Sequence, residues 1–210
     1  MMTIDFKVWD RIKGFMDRDE AERLYRIALT ASEQGPIIEI GSYCGKSAYI
    51  IGKACKANNA ILYSIDHHKG SEEQQPDEAY FDPDLFDPGV SRINTFPFFQ
   101  ETIIHTGLED TVVPIVAPSR TAGKMWATPI SMLFIDGGHS FDAVQGDYLT
   151  WACHIHVNGF LVIHDIFRDP AKGGQAPCQV YDMALESGAY DALEMTNTLG
   201  VLRKIRIEPA

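Results

Sequence analysis

The chain has 210 residues, 45% of them hydrophobic, and its 29 acidic and 18 basic residues give a formal charge of -11. That length suits one domain able to bury a core without disulfides or a structural metal. The acidic balance opposes binding to a phosphate backbone, which needs clustered Lys and Arg, so small molecules rather than nucleic acid are the expected partners.

Residues Met1 to Trp9 mix charged and apolar types and lack the apolar centre of a signal peptide. No stretch approaches the roughly 20 apolar residues that span a bilayer, so no membrane partner is expected. Cys44, Cys55, Cys153 and Cys178 form no Cys-x-x-Cys pair. Scattered thiols of this kind read as reduced cysteines of a cytoplasmic protein. From Asp19 to Ser32 the residues Ala21, Leu24, Tyr25, Ile27, Ala28 and Ala31 recur at helical spacing, and Gln34-Gly35-Pro36 ends the pattern. Residues 1–35 are therefore expected as a helical segment packed on a core domain, 36–210.

The period then changes. Ile37 to Gly41 reads as a short buried strand, Lys46 to Ala57 as a helix, and Ala60 to Asp66 as a second buried strand. Lys69 to Phe99 does not fit this alternation; its first part is rich in Asp, Glu and Pro. Loops of such length are commonly lids or binding loops, so the insertion reads as a substrate lid, a contact between copies in a homo-oligomer, or a solvated surface loop. Val112 to Ala117, Ile130 to Asp136 and Phe160 to Asp165 read as further strands, with a helix over Phe141 to His154. Ala192 to Thr196 and Leu199 to Ile207 suggest a terminal hairpin. The predicted fold is α/β: a Rossmann-like, mostly parallel seven-stranded sheet, helices on both faces, and a C-terminal antiparallel hairpin.

Two strand ends carry the chemistry. In an open α/β sheet, ligands bind beyond the carboxyl ends of the strands, where glycine lets backbone approach closely. Glu39-Ile40-Gly41-Ser42-Tyr43-Cys44-Gly45-Lys46-Ser47 occupies that position after the first strand. A dinucleotide fingerprint needs glycine where Tyr43 stands. A phosphate-binding loop of the G-x-x-x-x-G-K-[ST] type is one residue longer than Gly41 to Ser47, which leaves a P-loop-like nucleotide hydrolase as a rival reading. Asp66, at the tip of the neighbouring strand, can accept two hydrogen bonds from a ribose diol. His67 and His68 either flank such a ligand or cap the next segment.

Further on, Phe134-Ile135-Asp136-Gly137-Gly138-His139 and Phe160-Leu161-Val162-Ile163-His164-Asp165 each place polar residues straight after an apolar strand. Asp136 and the His164-Asp165 pair should meet on one rim, where such donors suit magnesium or manganese. His139 titrates near neutrality when unperturbed, which suits a general base. Asp142 and Asp147 are expected on the exposed side of the following helix.

The acidic-Ile-Gly-x-x-x-Gly loop, Asp66 and the Asp136 and His164-Asp165 runs resemble class I S-adenosylmethionine-dependent methyltransferases. Over roughly Ile37 to Ile166 the resemblance is to metal-dependent small-molecule O-methyltransferases of the catechol, caffeoyl-CoA and macrocin type. It implies methyl transfer from S-adenosylmethionine to a hydroxyl of a small molecule. Glu39 would lie near the amino acid moiety of the cofactor, and Gly41 and Gly45 under its methionine part. Ser42, Tyr43 and Ser47 would line the pocket, Asp66 would hold the ribose, His67 would flank the adenosine, and Ser119 would meet the adenine edge. Lys46, with no phosphate to meet, would be a solvent-exposed helix start. Asp136, which also borders the cofactor, would hold a divalent cation with His164 and Asp165, and His139 would take the substrate proton. His164 stands where the catechol type has an oxygen ligand, and His139 where it has a lysine. A non-catalytic cofactor-binding module is the third reading.

Overall fold

The computed structural model describes residues 4–207. A short helix α1 (Phe6–Trp9) leads into α2 (Arg18–Ser32), whose Ala21, Leu24, Ile27, Ala28 and Ala31 are all buried. Burial of one face, rather than intrinsic propensity, holds a helix of this length. Next come β1 (Ile37–Ile40), α3 (Lys46–Ala57) and β2 (Leu62–Asp66).

The acidic insertion is ordered into two 3-10 turns and a two-stranded ribbon, β3 (Phe86–Asp87) with β4 (Arg92–Ile93). It ends earlier than Phe99, because α4 (Phe96–His105) begins there and buries Phe99 and Ile103 against the core. Lys13 Nζ ties the insertion to the N-terminal segment, at 2.6 Å from Asp82 Oδ2 and 2.8 Å from Asp84 Oδ2.

The remaining elements are β5 (Val112–Val116), α5 (Ser119–Gly123), β6 (Ile130–Ile135), α6 (Phe141–Trp151), β7 (Ile155–Ile163), α7 (Ala176–Glu186), β8 (Tyr190–Ala192) and β9 (Gly200–Lys204). A 3-10 turn, Ala152–His154, continues α6. The sheet runs β5-β2-β1-β6-β7-β9-β8, parallel except for β9, which is antiparallel to both β7 and β8. Side chains alternate between its faces. Ile37, Met132 and Phe134 pack under α2 and α3, while Ile38, Ile40, Leu133 and Ile135 pack under α6 and α7.

The order also fixes where a ligand can enter. From β1 the chain builds outward to β2 and β5, then returns to place β6 and β7 on the other side of β1. The connections after β1 and after β6 thus diverge, opening a crevice at the carboxyl ends of these two neighbours. Among the described residues no helix is long and apolar enough to cross a membrane.

Candidate active site

A cavity of about 750 Å³ occupies that crevice, within the range of small-molecule sites. One wall is the loop after β1. Gly41 has φ +87°, and a Cβ there would overlap the Asp136 carbonyl and come within 2.7 Å of Gly137 Cα. Its glycine is therefore required by the close approach of the loop to the end of β6, a constraint independent of any ligand. Gly45 caps α3 at φ +92°.

Asp66 locks the same loop. Its Oδ2 accepts from the backbone N–H of Ser42 (3.0 Å) and of Tyr43 (2.9 Å), and its Oδ1 from His68 N–H (2.7 Å). The carboxylate faces the cavity, but with three main-chain donors on it only one lone pair, on Oδ1, is open to a ribose hydroxyl; its first task is to shape the loop. Ser42, Tyr43, Ser47 and His67 also line the cavity. The hydroxyl of Ser42 is buried without a hydrogen-bond partner among the described residues, so a polar ligand group could satisfy it.

Several residues are placed differently from the sequence expectation. Glu39 is fully buried beneath the loop, off the cavity wall, because strand alternation turns it towards α3. There Ser64 Oγ donates to its Oε2 at 2.6 Å. Burial raises its pKa to about 8 despite hydrogen bonds from Ser47 and Ser64. Lys46 is not a solvent-exposed helix start: its ammonium donates to the Ile12 carbonyl (2.9 Å) and lies 4.2 Å from the centre of the Trp9 ring. The lysine that a phosphate-binding loop would aim at its ligand is thus engaged elsewhere. Ser119 does line the cavity, but its hydroxyl accepts from Trp151 Nε1 at 2.8 Å. Asp147, expected on an exposed helix face, is only 7% exposed and borders the cavity beside Ser119. Burial raises its pKa to about 6, opposed by Ser119 and Arg120.

The opposite wall is a cluster of ionisable groups at the ends of β6 and β7. Asp136, His164 and Asp165 each bring one potential ligand atom within 4.8 Å of the others. His164 Nδ1 is 3.1 Å from Asp136 Oδ1 and 3.5 Å from Asp165 Oδ2, while Nε2 is 3.0 Å from Glu20 Oε2. Burial disfavours an imidazolium here, yet Asp136, Asp165 and Glu20 together raise the His164 pKa well above its ordinary value. Burial pushes the Asp136 pKa up against the pull of His164. For Asp165 the balance is reversed: burial is outweighed by His139 and His164, which hold it below the usual carboxylate range.

His139 differs from the expected neutral base. Its Nε2 is 3.0 Å from Asp165 Oδ2 and its Nδ1 is 3.0 Å from Glu73 Oε2, a residue of the insertion. The Asp165 bond, opposed by burial and helped by Glu73, raises its pKa to about 9. Between two carboxylates the ring keeps both protons at neutral pH. Glu73 and Glu20 carried no signal in the sequence beyond acidic side chains in a loop and on an amphipathic helix.

The donor set can accept a divalent cation. Adjacent donors around an ion with bonds of about 2.1 Å lie roughly 3.0 Å apart. The 3.1 and 3.5 Å separations at His164 Nδ1 come close to that edge. Imidazole binds this way only as the tautomer with its proton on Nε2, where Glu20 waits to receive it.

A family model described as a methyltransferase domain matches residues 38–166. Among solved structures the chain is similar to cofactor-bound Rv0187 from MTB, with TM-score 0.66, 15% identity, and coverage of 96% of this chain and 87% of that one. It is also similar to the O-methyltransferase NovP, with TM-score 0.67, 12% identity, and coverage of 90% and 80%. A third is the O-methyltransferase TomG from Streptomyces achromogenes, involved in tomaymycin synthesis and solved in complex with SAM; TM-score is 0.63, identity 12%, and coverage 91% and 82%. Identities this low speak for a shared fold.

Proposed function

This chain belongs to the methyltransferase-domain family, and from that premise we propose that it moves a methyl group from S-adenosylmethionine to a hydroxyl oxygen of a small molecule. One observation carries the reading. The Asp66-locked loop and the Asp136, His139 and Asp165 cluster face a single cavity, so a cofactor on the first meets an acceptor at the second. The net charge of -11 supports a small acceptor over a nucleic acid.

S-adenosylmethionine supplies an electrophilic methyl on a sulfonium, whose carbon–sulfur bond breaks as the acceptor oxygen bonds to carbon. Asp136, His164 and Asp165 would hold a divalent cation, magnesium or manganese, which would supply Lewis acidity to make a hydroxyl easier to ionise. The protein's own groups do the rest. Asp66 offers its one free lone pair, on Oδ1, to a ribose hydroxyl, and Ser42 Oγ offers a hydrogen bond to the amino acid end. Ser119 and Asp147, together on the cavity wall, are the groups assigned here to the adenine edge, with Asp147 able to accept from an exocyclic amine. His139 receives the acceptor's proton after it has given up one of its own, which makes the reaction favour alkaline pH.

Calorimetry tests the premise: S-adenosylmethionine is expected to bind and ATP to give no heat. ATP binding in the absence of S-adenosylmethionine binding would return the P-loop reading. A panel of hydroxylated acceptors, with methyl transfer read by mass, tests the oxygen assignment. Transfer confined to amine acceptors would overturn it.

A further inference from the structure

We propose that Glu20, on α2 and outside the matched segment, is a positioning residue of the cation site, holding His164 by Nε2 so that Nδ1 faces the space between Asp136 and Asp165. The inference rests on the cation reading above.

Glu20 is 3% exposed, and both its oxygens are engaged. Oε1 accepts from Thr198 N–H and from Thr198 Oγ1, each at 2.8 Å. Oε2 accepts from Asp17 N–H at 3.1 Å and lies 3.0 Å from His164 Nε2. The Asp17 bond is the usual reach of a glutamate back to its helix start, which an exposed side chain achieves equally well. That role explains neither the burial of Glu20 nor its contacts 144 and 178 positions along the chain. An ionised carboxylate only accepts, so the His164 nitrogen facing it must carry a proton. The other nitrogen, 3.1 and 3.5 Å from the two aspartate oxygens, is thereby committed to the cavity side.

Glu20 is itself held in place. Asn197 Nδ2 donates to Asp17 Oδ2 at 3.2 Å, so the turn of the terminal hairpin grips both Asp17 and Glu20. An imidazole fixed beside two carboxylates suits manganese, iron or zinc better than magnesium, which prefers oxygen donors throughout.

The test is calorimetric titration of the chelated full-length protein with Mn²⁺, comparing wild type with Glu20→Gln and Thr198→Val. In Glu20→Gln a single amide oxygen replaces two carboxylate oxygens, so the Thr198 donors and the Asp17 and His164 donors can no longer all be met. The charged acceptor that fixes the proton on His164 Nε2 is lost, and Nδ1 is no longer held ready as the ligand atom. Mn²⁺ affinity should fall 10- to 100-fold, the usual range for losing an outer partner of a metal-bound histidine. Thr198→Val, which removes one of the two grips, should lower it severalfold. Long-range ¹⁵N NMR of the Zn²⁺-loaded wild type should show His164 protonated at Nε2, a signature that a purely structural glutamate would not set. Equal Mn²⁺ affinity in wild type and Glu20→Gln, or an Nδ1–H tautomer in the zinc form, overturns the role of Glu20 and leaves the cation site standing. If Glu20→Gln does not fold, unchanged affinity in Thr198→Val overturns it instead. A wild-type protein that binds no Mn²⁺ overturns the cation reading and this inference with it.

Discussion

The Gly41–Ser47 loop and the ends of β6 and β7 face each other across one cavity but are shaped by different forces. The loop is set by backbone: two left-handed glycines, and one carboxylate that accepts three main-chain amides. The opposite wall is set by side chains that change charge, with His164 and His139 each placed between carboxylates. The first arrangement rests on main-chain donors and backbone conformation. The second depends on where protons sit. Such a division lets one wall keep a cofactor in a constant pose while the other alters its charge as an acceptor ionises.

If that division holds, substitutions on the two walls should separate. Asp165→Ala is expected to have the largest effect, lowering turnover by roughly 10²–10⁴, the scale of lost acid–base assistance, while S-adenosylmethionine affinity stays nearly constant. A matching loss of affinity, seen by calorimetry, would merge the two walls into one unit. Asp66→Ala should do the converse. Hydrogen bonds to a charged acceptor contribute about 1.5–3 kcal/mol each. Losing the two that hold the loop, from Ser42 and Tyr43, should weaken cofactor binding on the order of 100-fold. Unchanged affinity would show that the loop keeps its form without its anchor.

Proton dependence sharpens the contrast. His139 has a pKa raised from 6.5 to about 9 by its carboxylates, so kcat should climb with pH and level off at an inflection between these values. A cation on Asp165 draws the inflection down from 9, and His139→Gln should remove it. A flat profile over that interval excludes His139 as the base.

Acid unfolding reports the interior side of the same wall. Burial would raise the Glu20 pKa, but His164 and Thr198 bring it from 4.5 down to about 2. The stability this confers is complete above 4.5 and fades as pH falls towards 2. The full shift corresponds to about 3 kcal/mol. Urea midpoints of the metal-free protein should show that loss, and Glu20→Gln should lack it. The smallest effect on turnover belongs to Glu39, whose effect on stability has the opposite sign. With its pKa raised to about 8, its contribution is present below 4.5 and lost as pH rises towards 8. Glu39→Gln should therefore flatten the slope of stability between these limits and leave S-adenosylmethionine affinity nearly unchanged. A large drop in affinity would place Glu39 in the cofactor site after all.

Apolar rhythm made much of this architecture readable in advance. The helix expected over Lys46 to Ala57 coincides with α3, and the strands at Ile37, Val112 and Ile130 begin where expected. β7 starts five residues before its apolar run, at Ile155, because the register with β6 shifts and Val157 and Asn158 are exposed, hiding the strand pattern. The start of α4 was obscured by its position at the end of an acidic, proline-rich stretch. At the site, Asp136 and Asp165 follow strand ends, His139 lies in the short turn after β6 and Asp66 closes β2, so all four could be picked out. Glu20, Glu73 and Asp147 could not, since nothing local marks a carboxylate whose partner lies far along the chain. The His139 charge state was equally hidden, because it depends on contacts with Asp165 and Glu73, 26 and 66 positions away.

The grip of Thr198 on Glu20 bears on how the molecule comes into being. Residue 20 leaves the ribosome long before residue 198, so α2 can form and dock while its carboxylate still lacks the donors that fill Oε1. In a growing chain this glutamate faces a sheet without β9, and the centre behind His164 stays unfinished until the terminal hairpin closes. Synthesis interrupted before that turn would yield a body with most of its sheet and an unsatisfied acid at its heart, a species suited to capture by chaperones or proteases.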